Sequence, residues 1–134
     1  MPEGSRVVVS QLGDLDGPVP PWATVGLGRQ DVLLSHADVV ICGGGHGIVS
    51  KSLLAGVPLV AVPGGGDQWE ISNRVVRQGS AQLVRPLTAE ALAEAVNEVL
   101  SSPKYREAAR RAGASGSDVA DPVRVCHDAL SLSA

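Results

Sequence analysis

The segment "ADVVICGGGHGIVSKSLLAGVPLVAVPGGGDQWE", Ala37 to Glu70, contains two glycine triplets. Each triplet follows a run of apolar, mostly β-branched residues: VVIC stands before Gly43, and PLVAVP stands before Gly64. Such continuous apolar runs are typical of strands buried on both faces of a parallel sheet. Because glycine loses more chain entropy than other residues when it is ordered, the two triplets indicate that something approaches the backbone closely at two strand ends.

Outward from this segment, apolar runs alternate with stretches of helical composition. Further strands are predicted at 6–10, 22–27 and 81–84, and helices at 30–37, 46–55, 67–78, 88–102, 103–114 and from 121 onward. Repeated strand–helix units with buried strands predict an α/β fold with a parallel sheet of four or five strands flanked by helices. A ligand would then bind beyond the carboxyl ends of the strands, where both triplets lie.

Particular side chains mark the predicted elements. Thr88 is suited to cap the helix at 88–102, and Gly56 is suited to end the helix at 46–55. Two apolar sets are expected to face the core, and they comprise Leu92, Val96, Val99 and Leu100 in one helix and Val32, Leu33, Leu34 and Ala37 in another.

Length and composition predict one globular domain spanning residues 1–134. The chain is 44% hydrophobic and 19% charged, with a formal charge of −3 and no concentrated basic patch, so nucleic acid is not an expected partner. No apolar run reaches the roughly 18 residues of a membrane span, and no basic-then-apolar leader opens the sequence. Cys42 and Cys126 lack metal-ligand spacing and are expected to be buried free thiols. A cytoplasmic location is therefore predicted.

The first glycine loop leads into a predicted helix N-terminus, where backbone N–H groups and the helix dipole favour an anion. A phosphate or diphosphate suits this position, and His46 within the loop could donate to it. Lys51 lies about one helical turn further on and could add charge, or could simply face solvent. A tight strand–helix turn with no ligand is the alternative. The loop matches neither the dinucleotide fingerprint nor the P-loop spacing.

The second loop, "PGGGDQ", places Asp67 and Gln68 together after flexible backbone. A carboxylate beside a carboxamide offers the acceptors and donors that sugar hydroxyls require. The alternative is structural, with Asp67 or Gly66 only starting a helix. Since both loops follow adjacent strands, one ligand with a phosphate and a polyol would fit both, and a nucleotide sugar has these two parts.

Residues 27–114 resemble the C-terminal, donor-binding domain of GT-B glycosyltransferases. They resemble especially the family that moves sugars from nucleotide diphosphates onto small lipophilic acceptors. The matching positions are Gln30, Leu33, Leu34, Ala37, Asp38, Gly44, Gly45, Gly47, Leu53, Gly56, Val57, Pro58, Pro63, Asp67 and Gln68. The resemblance implies a Rossmann-like domain that forms half of a GT-B fold.

The resemblance also implies roles for individual residues. Gln30 would face the nucleotide base, and Asp67 with Gln68 would hold the sugar hydroxyls. The diphosphate would lie against the helix N-terminus and the loop formed by Gly44, Gly45, His46 and Gly47.

Five positions depart from the family pattern. Leu27 and Arg29 replace an aromatic residue and a proline, and Gly43 replaces the loop histidine. Ile48 replaces a hydroxyl residue but keeps its backbone N–H, and Lys51 replaces the glutamate that usually takes the ribose hydroxyls. His46 and Lys51 are therefore expected to take over part of the phosphate contact, and the base, the sugar and the acceptor stay open.

By resemblance, the reaction is transfer of a glycosyl group from a nucleotide diphosphate sugar to an acceptor hydroxyl, with no metal or other cofactor. No catalytic residue is assigned; "DLD" at Asp14–Asp16 is expected to be a turn rather than a metal motif, His36 a packing residue and His127 a helix surface residue. Because GT-B enzymes have two domains, an N-terminal acceptor-domain subunit or a homodimer is the expected partner, and this chain alone is expected to be inactive. The alternative is a non-catalytic nucleotide-sugar-binding or dimerising remnant.

Overall fold

The computed structural model describes residues 3–11, 13 and 16–133, and it has the predicted α/β architecture. The strands are β1 (Val7–Ser10), β2 (Ala23–Gly26), β3 (Val40–Cys42), β4 (Leu59–Ala61) and β5 (Ala81–Leu83). The helices are α1 (Gln30–Leu34), α2 (His46–Leu54), α3 (Gln68–Gln78), α4 (Ala89–Ser101), α5 (Pro103–Ser115) and α6 (Pro122–Leu132), with a 3₁₀ turn at Gly116–Asp118. No helix in these described ranges is long and apolar enough to cross a membrane.

The strands pair in parallel, but they form two hydrogen-bonded ladders rather than one. One ladder joins β1 to β2, and the other has the order β3-β4-β5, with Val60 of β4 between Ile41 and Gln82. The carboxyl ends of β3 and β4 therefore lie side by side. The glycine triplets that follow these two strands emerge at the same edge, as the sequence predicts.

Of the strands in the described part of the chain, only β4 is buried along its whole length. Leu59 and Val60 are both 0% exposed, and because successive side chains of a strand point to opposite faces, each anchors the core on one side. Ile41 in β3 is 47% exposed and Val8 in β1 is 55% exposed. The prediction of strands buried on both faces thus holds for β4 and is wrong for β3, because β3 lies at the edge of its ladder.

Two apolar clusters form the core, one on each face of β4. The first joins β4 to α4 and α5 through Val60, Val84, Ala95, Val96, Val99 and Tyr105. The second joins β4 to α2 and α3 through Val49, Leu59, Val75 and Ala81. The second cluster fixes α2 and α3, the two helices that begin at the glycine loops.

Helix ends follow the local signals in the sequence. Thr88 Oγ1 accepts a hydrogen bond from the Ala91 N–H at 3.1 Å, which confirms the predicted cap of α4. Gly56 and Gly79 have φ values of +69° and +91° after α2 and α3, the left-handed conformation that ends helices and favours glycine. The predicted inward set of α4 is correct except for Leu100, which is 38% exposed.

Two helices are less buried than the sequence predicts. In α1, Leu34 is 5% exposed but Val32 is 48% exposed, because a five-residue helix presents only a narrow face to the core. In α6 no residue is buried, and Leu130 is 73% exposed. Cys126 lies on this helix and is exposed, so its predicted burial is wrong, whereas Cys42 is half-buried; both thiols are free.

Helix α5 holds α2 in place from behind. A Cβ on Gly113 would overlap the carbonyl oxygen of Leu53, so the two helices are in backbone contact at this point. Arg106 Nη2 donates to the carbonyl oxygen of Asp38 at 2.9 Å and to its carboxylate at 3.0 Å, just before β3. The base of the first glycine loop is therefore braced on both sides, by α2 and by the start of β3.

Candidate functional site

The two glycine loops meet at the side chain of Gln68. The Gly64 N–H donates to Gln68 Oε1 at 2.9 Å. The same oxygen lies 3.3 Å from the place where a Cβ would stand on Gly43. The structure thus brings the first triplet, the second triplet and the start of α3 into one site at the edge of the sheet.

Glycines in the first loop have different surroundings. Gly44 is buried with φ +78°, and a Cβ there would overlap Ser72 Oγ in α3. Gly45 and Gly47 would carry a Cβ into open space, with no described atom within 4 Å. Gly44 therefore packs the loop against α3, while Gly45 and Gly47 leave the backbone accessible from outside.

The N-terminus of α2 faces this open space. Gly45 is the N-cap residue, so no side chain caps the helix, and no acidic residue lies in the first turn. The first N–H groups of a helix have no partner within the helix and carry the positive end of its dipole. His46 and Ile48 contribute N–H groups to this first turn, and the imidazole of His46 is exposed beside them. The arrangement is suited to an anion.

Ser72 is a site residue that sequence reasoning missed. It is 0% exposed, and its Oγ has no hydrogen-bond partner among the described residues. A buried hydroxyl without a partner is uncommon because its desolvation is uncompensated. The available signal was its position: Gln68 and Ser72 are four residues apart and share the face of α3 that meets the glycine loop.

Lys51 and Gln30 are in direct contact. Lys51 Nζ donates to Gln30 Oε1 at 2.9 Å, although the residues lie 21 positions apart in the sequence. Both side chains are exposed, so Lys51 reaches solvent and also holds a neighbour. Lys51, which stands where the family has a glutamate, thus contacts Gln30, the residue that the resemblance assigns to the nucleotide base.

An ion pair lies near this hydrogen bond in the sequence, between Arg29 and Asp31 on either side of Gln30. Arg29 Nη2 and Asp31 Oδ2 are 2.6 Å apart. The hydrogen bond from Arg29 is the largest cause that lowers the pKa of Asp31, and the charge of Lys51 adds to it. Arg29 and Asp31 neutralise each other, so Lys51 leaves this end of the site with one positive charge.

Asp67 occupies the N-cap position of α3, but its side chain makes no capping hydrogen bond. The comparison is Asp121, whose carboxylate caps α6 by accepting from the Val123 N–H at 3.0 Å. The carboxylate of Asp67 is exposed and unused by the helix. A capping role therefore agrees with the position of Asp67 at the start of α3, but it does not agree with a carboxylate that makes no capping hydrogen bond.

The side chains that follow Asp67 and Gln68 are engaged elsewhere. Glu70 pairs with Arg74 at 3.0 Å and with Arg77 at 3.6 Å, and the hydrogen bond from Arg74 is the main cause that lowers the pKa of Glu70. The Arg85 guanidinium stands 4.4 Å from the centre of the Trp69 ring, a cation–π contact that the sequence did not indicate. Asp67 is the carboxylate left open at this loop.

The structure also describes most of the cysteine, histidine and aspartate candidates that the sequence singled out. Burial raises the pKa of the Cys42 thiol, against a smaller lowering by a backbone hydrogen bond from Gly44, so the thiol stays neutral. His36 is exposed, so its predicted packing role is wrong, and His127 is on the helix surface as predicted. Of the "DLD" stretch, Asp14 lies outside the described residues. The described residues include no cluster of three or more His, Cys, Asp or Glu that could hold a metal ion.

A parallel α/β domain with a glycine loop after each of two adjacent strands has the architecture of the C-terminal half of GT-B glycosyltransferases. The family model described as "Erythromycin biosynthesis protein CIII-like, C-terminal domain" matches residues 8–132, and the chain belongs to this EryCIII-like family. The sequence-based recognition of a glycosyltransferase donor domain is confirmed.

Individual relatives agree with the family assignment. A PGL/p-HBAD biosynthesis glycosyltransferase of Mycobacterium tuberculosis is 39% identical over 101 residues, covering 73% of this chain and 24% of that protein. An uncharacterized UDP-glucosyltransferase, YojK, of Bacillus subtilis is 31% identical over 116 residues, covering 84% of this chain and 27% of that protein.

A solved structure has the same fold. The calicheamicin glycosyltransferase CalG4 superimposes with a TM-score of 0.79 at 28% identity, covering 94% of this chain and 35% of that one. The chain thus spans about a quarter of the length of the curated relatives.

Proposed function

We propose that this chain binds a nucleoside diphosphate sugar and acts as the donor half of a hexosyltransferase. The observation that carries the proposal is the single site formed when Gln68 joins both glycine loops in front of the uncapped N-terminus of α2. The named activities of the relatives, all glycosyltransferases, support this assignment.

The diphosphate lies at the start of α2 in this proposal. The first-turn N–H groups of His46, Gly47 and Ile48 have no partner within α2, where the helix dipole favours negative charge, and Gly45 and Gly47 leave space beside them. His46 adds a donor from its imidazole, and Lys51 adds charge one turn further along. The same groups would stabilise the diphosphate as it departs with its added charge, so we propose that no metal is needed.

The sugar lies at the second loop. Asp67 presents a free carboxylate that accepts hydrogen bonds from hydroxyl groups. The Oε1 of Gln68 is occupied by the Gly64 N–H, so its Nε2 is the atom left to donate to a sugar oxygen. The pair thus offers an acceptor and a donor side by side, which is the pattern of a vicinal diol.

The base lies near Gln30, on the Lys51 side of the loop. The acceptor and the general base would come from an acceptor-binding domain, either on the same polypeptide or as a separate subunit. The relatives' additional length, about three quarters of each protein, leaves room for such a domain.

Titration calorimetry of the chain with UDP, dTDP and GDP, followed by the sugar conjugate of the tightest nucleotide, tests this function. We expect saturable binding of one nucleotide and tighter binding of its conjugate. In Asp67→Ala, the conjugate should lose its advantage over the nucleotide, whereas Asp118→Ala, an exposed aspartate away from the loops, should keep it. Failure of every nucleotide to bind at millimolar concentration would contradict the proposal.

A further inference from the structure

Two serines are fully buried in the helices that begin at the glycine loops, and their hydroxyl groups are bonded differently. Ser52 of α2 is 0% exposed, and its Oγ donates to the carbonyl oxygen of Ile48, four residues earlier, at 2.8 Å. Ser72 of α3 is also 0% exposed, but its Oγ has no hydrogen-bond partner among the described residues, although the carbonyl of Gln68 stands four residues earlier. Bonding to that carbonyl is the usual arrangement for a serine within a helix. The hydroxyl of Ser72 is therefore turned away from its own helix.

The hydroxyl of Ser72 is directed at Gly44, the residue before the N-cap of α2. A Cβ on Gly44 would overlap Ser72 Oγ, so this oxygen lies against the Cα of Gly44. The Gly44 N–H is already engaged, because it donates to the Cys42 thiol. The Gly44 carbonyl accepts from no backbone N–H in the part of the chain that the structure describes. Since a hydroxyl is a donor, this carbonyl is the neighbouring group that Ser72 is suited to bind.

Rotation of a single peptide group would join the hydroxyl to this carbonyl. The Gly44 carbonyl and the Gly45 N–H belong to one planar trans peptide, so they point in opposite directions. Both flanking residues are glycine, and a Cβ on Gly45 would meet no described atom within 4 Å, so this peptide turns with little steric hindrance. A carbonyl turned inward to Ser72 places the Gly45 N–H outward, on the side that Gly45 leaves open at the start of α2.

We propose that Ser72 is a positioning residue: its hydroxyl has no partner in the free chain and donates to the Gly44 carbonyl when a diphosphate binds, which fixes the Gly45 N–H toward the diphosphate. This inference rests on the proposed function and adds a residue and a movement to that site. A buried hydroxyl without a partner is costly, and binding removes this cost. The anion attracts the N–H of the peptide while Ser72 binds its carbonyl, so the two hydrogen bonds form together.

Calorimetry with the tightest-binding nucleotide among UDP, dTDP and GDP tests the role of Ser72. In Ser72→Ala, we expect the affinity to fall at least about fivefold, because the variant loses a hydrogen bond that forms only in the bound state. The free variant should melt at the same temperature as the unaltered chain or higher, because alanine buries no unsatisfied hydroxyl. Affinity and stability should thus change independently, whereas a residue that only supports the fold would lower both.

Ser80→Ala is the matched control. Ser80 is also 0% exposed, but it lies just after α3, away from the glycine loops, and its Oγ donates to Gln78 Oε1 at 3.0 Å. This variant should lose stability, because it loses a hydrogen bond of the free chain, and it should bind the nucleotide within about twofold of the unaltered chain.

The Gly45 amide reports the movement directly. In nuclear magnetic resonance spectra of the isotope-labelled chain, the Gly45 amide proton should shift downfield when the nucleotide binds, because it then donates to an anion. The shift should be smaller in Ser72→Ala, where nothing holds the Gly44 carbonyl inward.

The outcomes separate this inference from the proposed function. Nucleotide binding that Ser72→Ala leaves within about twofold would overturn the inference and keep the proposed function. Equal Gly45 shifts in both chains, or a parallel loss of stability and affinity in Ser72→Ala, would also overturn the inference alone. Failure of every nucleotide to bind the unaltered chain at millimolar concentration would refute the proposed function and the role of Ser72 with it.

Discussion

Replacing Gly44 with alanine should destabilise the domain substantially. Gly44 has φ +78°, a conformation that costs an L-residue about 1–2 kcal/mol. An added Cβ would also overlap Ser72 Oγ and stand 3.3 Å from the carbonyl oxygen of Gln68. Overpacking of this kind costs about 1–3 kcal/mol, so we expect a total loss of about 2–5 kcal/mol in the free energy of unfolding.

Urea denaturation followed by circular dichroism measures this loss, and the fluorescence of the half-buried Trp69 gives a second probe. The transition midpoint should fall while the slope of the free energy with urea stays constant. Gly47→Ala is the matched control, because its Cβ would meet no described atom within 4 Å and it lies in the first turn of α2. It should be neutral or stabilised by up to about 1 kcal/mol, the helix preference of alanine.

A double-mutant cycle with Ser72→Ala separates the two causes. Removing Ser72 Oγ leaves the Ser72 Cβ 3.5 Å from the new methyl group, an ordinary contact. The double variant should regain the stability lost to the overlap with Ser72 Oγ, and it should keep the about 1–2 kcal/mol of backbone strain together with the close contact to the Gln68 carbonyl oxygen. Ser72→Ala alone should be neutral or slightly stabilising, because the hydroxyl is buried without a partner. A Gly44→Ala variant within about 0.5 kcal/mol of the parent would refute the reasoning.

Three further outcomes are expected. Leu59→Ala, at a fully buried position of β4, should cost about 2–5 kcal/mol in urea unfolding, whereas Leu87→Ala, 60% exposed, should stay within about 0.5 kcal/mol; equal losses would contradict the assigned core. Iodoacetamide should modify Cys126 before Cys42, as followed by peptide mass spectrometry. The rate of modification at Cys42 should rise only at higher pH, because burial raises the pKa of its thiol. Faster modification of Cys42 than of Cys126 would exclude the burial of Cys42. Amide hydrogen exchange should be slowest in β4 and much faster in β1 and β2. The ladder of β1 and β2 has only two strands, which makes it marginally stable, and it is half exposed. Equal protection of the two ladders would contradict this description.

Local signals in the sequence predicted the elements and the edge where the site lies. The apolar runs before Gly43 and Gly64 correspond to β3 and β4, and Gly56 and Thr88 mark helix ends as predicted. These features depend on a few neighbouring residues, through φ preferences and side-chain caps. A single sequence is therefore sufficient to find them.

Non-local packing accounts for what the sequence did not predict. Whether Ile41 is buried depends on what lies beyond the edge of β3, and whether His36 is buried depends on how the turn after α1 is oriented. The contact of Lys51 with Gln30 joins α1 to α2 across 21 residues. Ser72 reaches Gly44 only because α3 packs against the loop. No local pattern encodes these distances.

The glycines of the first loop and of the helix start that follows it serve two separate needs. At Gly44 the missing side chain makes room for α3, so the fold itself requires glycine there. At Gly47 no described atom approaches within 4 Å, and alanine in that helical turn would be more stable by up to about 1 kcal/mol. Packing therefore explains Gly44 but not Gly47. A glycine that the fold does not need, placed at an uncapped helix N-terminus, is explained when a ligand must approach the backbone closely, and a diphosphate is the ligand that such a terminus favours.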